Sequence, residues 1–255
     1  MPSRMILTAL TGVPEVTPGD DLVQVVADSI NVSGEILING DILVVAQKIV
    51  SKAEGRIVDF DSVKPSQRAL VLAEQVDKDP RHVELVLQES NEVVKYRPGV
   101  LIVEQKLGLV MANAGIDHSN IQQNEAGERI LLLPVDPDAS ANRLKDGLRK
   151  RFDVSVGIVI NDSVGRAWRI GTVGLAIGVA GLPAVLDLRG EPDRHGRELL
   201  VSEQAVADEL ASAASLLQGQ AAEGLPIVLV RGFSSNAPEQ GADALIRSRE
   251  MDMFR

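Results

Sequence analysis

Two hydrophobic periods share this chain. Ala69, Leu72, Ala73 and Val76 recur at helical spacing, as do Val206, Leu210, Ala214 and Leu217. Such spacing gathers each set on one helix face. The first predicts a helix from Pro65 to about Asp79, the second a helix from Ser202 to Leu217. Asp20 or Asp21 can cap a helix from Leu22 to Ile30, because a carboxylate there accepts from unpaired N–H groups. Asp79-Pro80 opens another helix over Arg81 to Glu89. Asp136-Pro137 starts one that reaches Phe152 with Leu144 and Leu148 inward, and a short helical end is predicted over Ala242 to Met251.

Shorter apolar runs read as strands: Met5 to Leu10, Ile42 to Ala46, Val93 to Tyr96, Val100 to Glu104, Leu109 to Met111, Ile130 to Leu133, Val156 to Ile160 and Pro226 to Val230. Strands and helices mix without strict alternation. The expected class is therefore α/β with mixed sheets, a mixed α+β fold. No Walker A pattern exists and no GxGxxG opens a helix after a strand, so neither a Rossmann nor a P-loop domain is expected.

Four loops share one character, polar residues beside glycine after a β-rich run: Gly12 to Val16, Gln47 to Lys52, Ala112 to Asn120 and Asn161 to Arg169. The loop Gln218 to Leu225, after the long helix, is a fifth. In the fourth, the apolar run Val156 to Ile160 breaks abruptly into Asn161-Asp162-Ser163. Ligands of open α/β sheets gather at such carboxyl ends. A buried strand with a polar turn gives the same pattern.

Composition narrows the chemistry. The 255 residues carry a formal net charge of −10 and 2% aromatics. Broad nucleic-acid binding needs excess Lys and Arg and stacking platforms, so it is not expected. The absence of cysteine excludes disulfides, zinc–thiolate sites and a Cys nucleophile, and three histidines argue against a His-rich site. Any metal should be a hard cation on oxygen ligands, Mg²⁺ or Mn²⁺. No signal peptide or membrane-spanning run is evident, so a cytoplasmic protein without membrane partners is expected.

Asp117 and Asp162, on different loops, are the best pair for such a metal, although Asp117 equally suits an Asx turn. Lys52 can meet a phosphate or simply be solvated. His118 reads as a general base or a capped loop residue, His195 as surface, and Trp168 as an anchor onto the core or an interface. Spacing alone ends at an α/β protein with a candidate divalent-metal and phosphate site.

Five ordered blocks add more: GDILVVAQKIVSKAEGR (Gly40 to Arg56), NAGIDHSN (Asn113 to Asn120), GIVINDSVGRAWRIGTVGLAIGVAG (Gly157 to Gly181), DRHGREL (Asp193 to Leu199) and ADELASAASLLQGQ (Ala207 to Gln220). Together they resemble the coenzyme F(420):L-glutamate ligases, in order from about Leu7 to Gly232. The resemblance implies a two-lobed ligase domain over residues 1–255 without a C-terminal oxidoreductase domain, and a homodimer. It implies GTP-dependent addition of L-glutamate to coenzyme F(420)-0 and γ-linked extension of the tail, through an acyl phosphate. Mg²⁺ or Mn²⁺ is implied, with K⁺.

By the same resemblance, Asp117, Asp162 and Ser163 match metal ligands, and Gln220 stands where an acidic one is expected. Val13, Pro14, Glu15, Val16, Gln47, Lys48, Lys52 and Asn120 match nucleotide-contacting positions, with Gln218, Gly219, Gln220, Ala221, Ala222, Glu223, Gly224 and Leu225. Asp117, Asp162 and Lys52 are the catalytic set it implies. Gln220, an uncharged donor, keeps open a non-catalytic GTP-binding module; a related ligase with another carboxylate acceptor is a further alternative.

Overall fold

The computed structural model describes residues 4–117 and 128–253. Its elements run β1 (Ile6–Ala9), α1 (Leu22–Val32), β2 (Ile42–Ala46), α2 (Gln47–Ala53), β3 (Ile57–Asp59), α3 (Gln67–Val76), α4 (Pro80–Gln88), β4 (Ser90–Arg97), β5 (Val100–Gln105) and β6 (Val110–Ala112). They continue with β7 (Arg129–Leu131), α5 (Pro137–Phe152), β8 (Gly157–Gly165), β9 (Thr172–Ala180), β10 (Leu186–Asp187), β11 (Glu203–Gln204), α6 (Val206–Gln218) and β12 (Ile227–Arg231). This is a mixed α+β fold.

A five-stranded sheet ordered β1-β12-β2-β8-β9 forms its centre. Only β2 and β8 pair in parallel, with Ile42 opposite Gly157 and Ala46 opposite Asn161. Both strands are apolar on both faces because both faces are covered. Leu43, Val45, Ile158 and Ile160 meet α1 and α5 on one side. Ile42, Val44 and Val159 meet α6 on the other. A smaller core lies beside this sandwich, where α3 and α4 cover the antiparallel sheet β4-β5-β6 through Leu72, Val76, Val83, Val86, Leu101 and Val103. No helix among the described residues is long and apolar enough to cross a membrane.

Local signals explain most boundaries. Asp21 caps α1 by accepting from the N–H groups of Val23 and Gln24, Ser66 caps α3, and Asp79 and Asp136 cap α4 and α5 ahead of their prolines. Four expectations need correction. Gln47 to Lys52 is helix α2 and not a loop; it follows β2 at once and has no side-chain cap to mark it. Asn161 to Gly165 continues β8, paired with β9, so the polar run is strand and not turn. On α6 the buried face is Val206, Ala207, Leu210, Ala211 and Ala214, while Leu217 is 37% exposed. The predicted terminal helix is two short 3-10 turns, Ala242–Leu245 and Arg249–Met251.

One close contact sets where α6 lies. A Cβ on Gly174 of β9 would sit 2.3 Å from the Ala211 carbonyl oxygen of α6. Ser212 Oγ donates to the Gly174 carbonyl at 2.7 Å. Gly174→Ala should therefore lose about 2 kcal/mol of stability, the usual scale of overpacking against backbone. Gly165→Ala, with open space around its Cβ, should stay within about 0.5 kcal/mol of the parent. Guanidinium chloride unfolding midpoints check both; equal midpoints would remove the steric account.

Candidate active site

The carboxyl ends of the parallel pair open into a cleft of about 820 Å³. β2 turns directly into α2, so Gln47 and Lys48 stand in the first turn and Lys52 one turn on. Ser51 Oγ donates to Gln47 Oε1 at 2.8 Å and holds that side chain in the buried base. Lys52 is also buried, and a buried ammonium needs a partner. Glu15 provides it at 2.5 Å, reaching in from the loop Val13 to Val16.

The register of β8 against β9 shifts between Ile160 and Asn161. Bulges of this kind re-aim side chains beside functional sites. Asn161 becomes framework: its Nδ2 donates to Gln218 Oε1 at 2.6 Å, and Gln218 Nε2 donates to the carbonyls of Val44 and Pro226. Asp162 and Ser163 follow it into the cleft. Gln220 reaches the same place from beyond α6, its Nε2 donating to Ser163 Oγ at 2.9 Å and its Oε1 accepting from Thr172 at 3.4 Å.

Asp117 arrives from the smaller core. Asn113, Ala114 and Gly115 are successively left-handed, at φ 51°, 54° and 70°. Such conformations cost non-glycine residues of order 1–3 kcal/mol each and collect at functional sites. The next residues straighten, and Asp117 exchanges backbone hydrogen bonds with Leu131 at 3.0 and 2.9 Å. Its carboxylate accepts an ion pair from Lys48 Nζ at 2.7 Å.

Burial pushes the Asp162 carboxyl up to about 6, and the nearby Asp117 charge adds to that. The Ser163 N–H, Lys48 and Gln47 oppose the rise without cancelling it. A divalent cation relieves such crowding of a buried carboxylate by a second one. Asp117, Asp162, Ser163 and Gln220 together offer only oxygen donors, which suits Mg²⁺ or Mn²⁺. Among the described residues no three of His, Asp and Glu cluster, so two carboxylates are the charged part of that set.

Val13, Pro14, Glu15, Val16, Gln47, Lys48, Lys52, Asp117, Asp162, Ser163, Gln218, Gly219, Gln220, Ala221, Ala222, Gly224 and Leu225 all line this one cleft. Glu223 does not. Its carboxylate turns back onto its own loop, where backbone N–H groups of Glu223 and Ala221 hold it below the usual carboxylate range. Asn120 and His118 lie outside the described residues. Trp168 is 84% exposed, so its ring is not packed into the core as expected. Ala46, Ile49, Thr172 and Pro226 line the cleft without having been singled out. They are small, apolar or neutral, and carry no chemical signal of their own.

The F(420)-0:gamma-glutamyl ligase family model matches residues 12–232. A coenzyme F(420):L-glutamate ligase of Methanothermobacter thermautotrophicus is 43% identical over 251 residues, covering 98% of both chains. One from Methanocaldococcus jannaschii is 45% identical over 220 residues, 85% of each chain. Another, from Natronomonas pharaonis, is 44% identical over 253 residues, 97% of this chain and 93% of its own. The chain belongs to the F(420)-0:gamma-glutamyl ligase family.

The raised Asp162 carboxyl has a stability consequence. Between its ordinary value of 3.8 and about 6, the folded protein keeps a proton that the unfolded chain has lost. Stability therefore falls as pH rises through that window, and the penalty is complete above it. Asp162→Asn should raise metal-free stability near neutral pH by about 1–2 kcal/mol, allowing for solvent screening. The gain should vanish below about pH 3, where the acid is protonated in both states. Denaturant unfolding at the two pH values measures this; an equal gain at both would refute the assignment.

Proposed function

We propose that this protein ligates L-glutamate to coenzyme F(420)-0 in coenzyme F(420) biosynthesis, with γ-linked extension of the tail, at the expense of GTP. The observation that carries this reading is the convergence of two carboxylates and two lysines from separate segments in one cleft, in a chain of this family. The family and the names of its relatives support an enzyme that forms amide bonds.

A carboxylate resists attack by an amine until one oxygen becomes a leaving group. In the proposed sequence an acceptor carboxylate oxygen takes the γ-phosphoryl group of GTP, releasing GDP. The glutamate amine then attacks the acyl carbon, an N–C bond forms, inorganic phosphate departs and the amine loses a proton. Positioning and charge neutralisation supply most of the catalysis in phosphoryl transfer. Lys48 and Lys52 sit one turn apart on α2, where their ammonium groups offset phosphate charge, and each is poised on a carboxylate that a nucleotide would displace or share. Gln47, the loop Val13 to Val16 and the loop Gln218 to Leu225 shape the walls that orient the nucleotide. Asp117 and Asp162 would hold Mg²⁺ or Mn²⁺ with Ser163 and Gln220, and the metal supplies charge neutralisation on phosphate oxygens. K⁺ as an accessory cation and a homodimer complete the proposal.

Incubation with coenzyme F(420)-0, L-glutamate, GTP and Mn²⁺ should give a glutamylated product and GDP by mass spectrometry. Unchanged acceptor over a folded, metal-loaded protein would refute the reading, and GTP binding without transfer would favour the non-catalytic alternative. Asp162→Ala should abolish turnover. Lys52→Met should lower kcat by about 10²-fold or more, the scale of one lost transition-state contact. Gln220→Glu should tighten Mn²⁺ by about tenfold, because it adds charge to the ligand set; calorimetry reads that directly.

A further inference from the structure

The hairpin that joins β8 to β9 is not absorbed by this mechanism. It runs from Arg166 to Gly171, directly beyond Asp162 and Ser163, and returns through Thr172 on the cleft wall. From Ser163 to Gly174 its only charged residues are Arg166 and Arg169, in a chain of net charge −10. Arg166 Nη1 is buried without a hydrogen-bond partner. A buried guanidinium N–H left unpaired costs free energy that a bound oxyanion recovers. Trp168, between the two arginines, is left-handed at φ 58° and its ring is held out in solvent. Ile170 beside it is fully exposed. Gly165 and Gly171 flank the tip, each with open space where a Cβ would sit.

An exposed tryptophan flanked by guanidinium groups suits a ligand with a flat ring and peripheral oxyanions. The acceptor of the proposed reaction has that chemistry, being a deazaflavin that carries phosphate and carboxylate groups. We propose that this hairpin is the acceptor arm of the cleft: Arg166 and Arg169 take the acceptor's oxyanions, and Trp168 stacks on its ring. The assignment of the acceptor rests on the function proposed above, whereas the arm itself rests on the hairpin's geometry.

Trp168 is the only tryptophan in the chain, so tryptophan emission reports this arm alone. Titration with coenzyme F(420)-0 should quench it saturably beyond the loss seen with free N-acetyltryptophanamide, and GTP should not. Arg166→Gln and Arg169→Gln should each raise the acceptor KM by about tenfold or more, the scale of a lost charge-assisted contact, with the GTP Kd within twofold. Arg166→Lys should recover only part of that loss, since an ammonium lacks the fork. Quenching by GTP in place of the acceptor would overturn the assignment, as would an acceptor KM unchanged in both glutamine variants of an enzyme whose wild type turns over. Trp168→Ala that lowers the sedimentation coefficient and leaves the acceptor KM alone would overturn it too, with a second copy as the occupant. Acceptor quenching in a protein that catalyses no transfer would keep the arm and remove the proposed reaction.

Discussion

The site depends on one register. Ala46 of β2 lies opposite Asn161 of β8 in the only parallel pair of the central sheet. Parallel pairing brings two carboxyl ends to the same edge. The end of β2 launches α2 and its lysines, and the end of β8 delivers Asp162 and Ser163. A slip by one residue would turn the side chains of β8 to the opposite face. The buried sets on both faces of β2 and β8 forbid such a slip, because each face meets its own helical layer. The apolar core thus sets which polar atoms meet.

Electrostatics then sorts those atoms. The cleft gathers acid and base at short range in a chain with excess negative charge. Lys48 lies on Asp117 and Lys52 on Glu15, so each lysine is paired before any ligand arrives. Asp162 carries the raised proton affinity that burial and the Asp117 charge impose. In the reaction proposed above, a triphosphate with its metal would exchange these partners: cation would meet the carboxylates, phosphate the ammonium groups. Under that proposal the number of opposite-charge contacts would rise while no buried charge is left alone, which would let an acidic protein take up an anionic ligand.

Much of this was legible in the residues. Caps at Asp79 and Asp136, each followed by proline, placed α4 and α5 to within a residue. The ordered blocks pointed to the family. What escaped was structure decided by tertiary contact. α2 has no capping side chain, so Gln47 to Lys52 reads as a loop until β2 and its neighbours fix the chain direction. Asn161 to Gly165 is polar enough to suggest a turn, yet pairing with β9 keeps it extended. Leu217 fits the helical period of α6 but falls near the helix end, past the layer that covers its neighbours. Thr172 and Pro226 join the cleft through pairing and packing alone.

Gln220 shows why a departure in residue type need not dissolve a site. Its amide is held at both ends, by Ser163 through nitrogen and by Thr172 through oxygen. An acid at this position would bring a third negative charge close to Asp162, whose carboxyl already resists ionising. A neutral amide avoids that repulsion and keeps an oxygen donor in the cleft. Glu223, the nearest acidic substitute in its loop, is committed to backbone N–H groups and is braced against Gly219. The loop therefore contributes shape and a dipole where a charge is absent, and under the proposed function a divalent cation would rest on Asp162 from β8 and Asp117 from the smaller core.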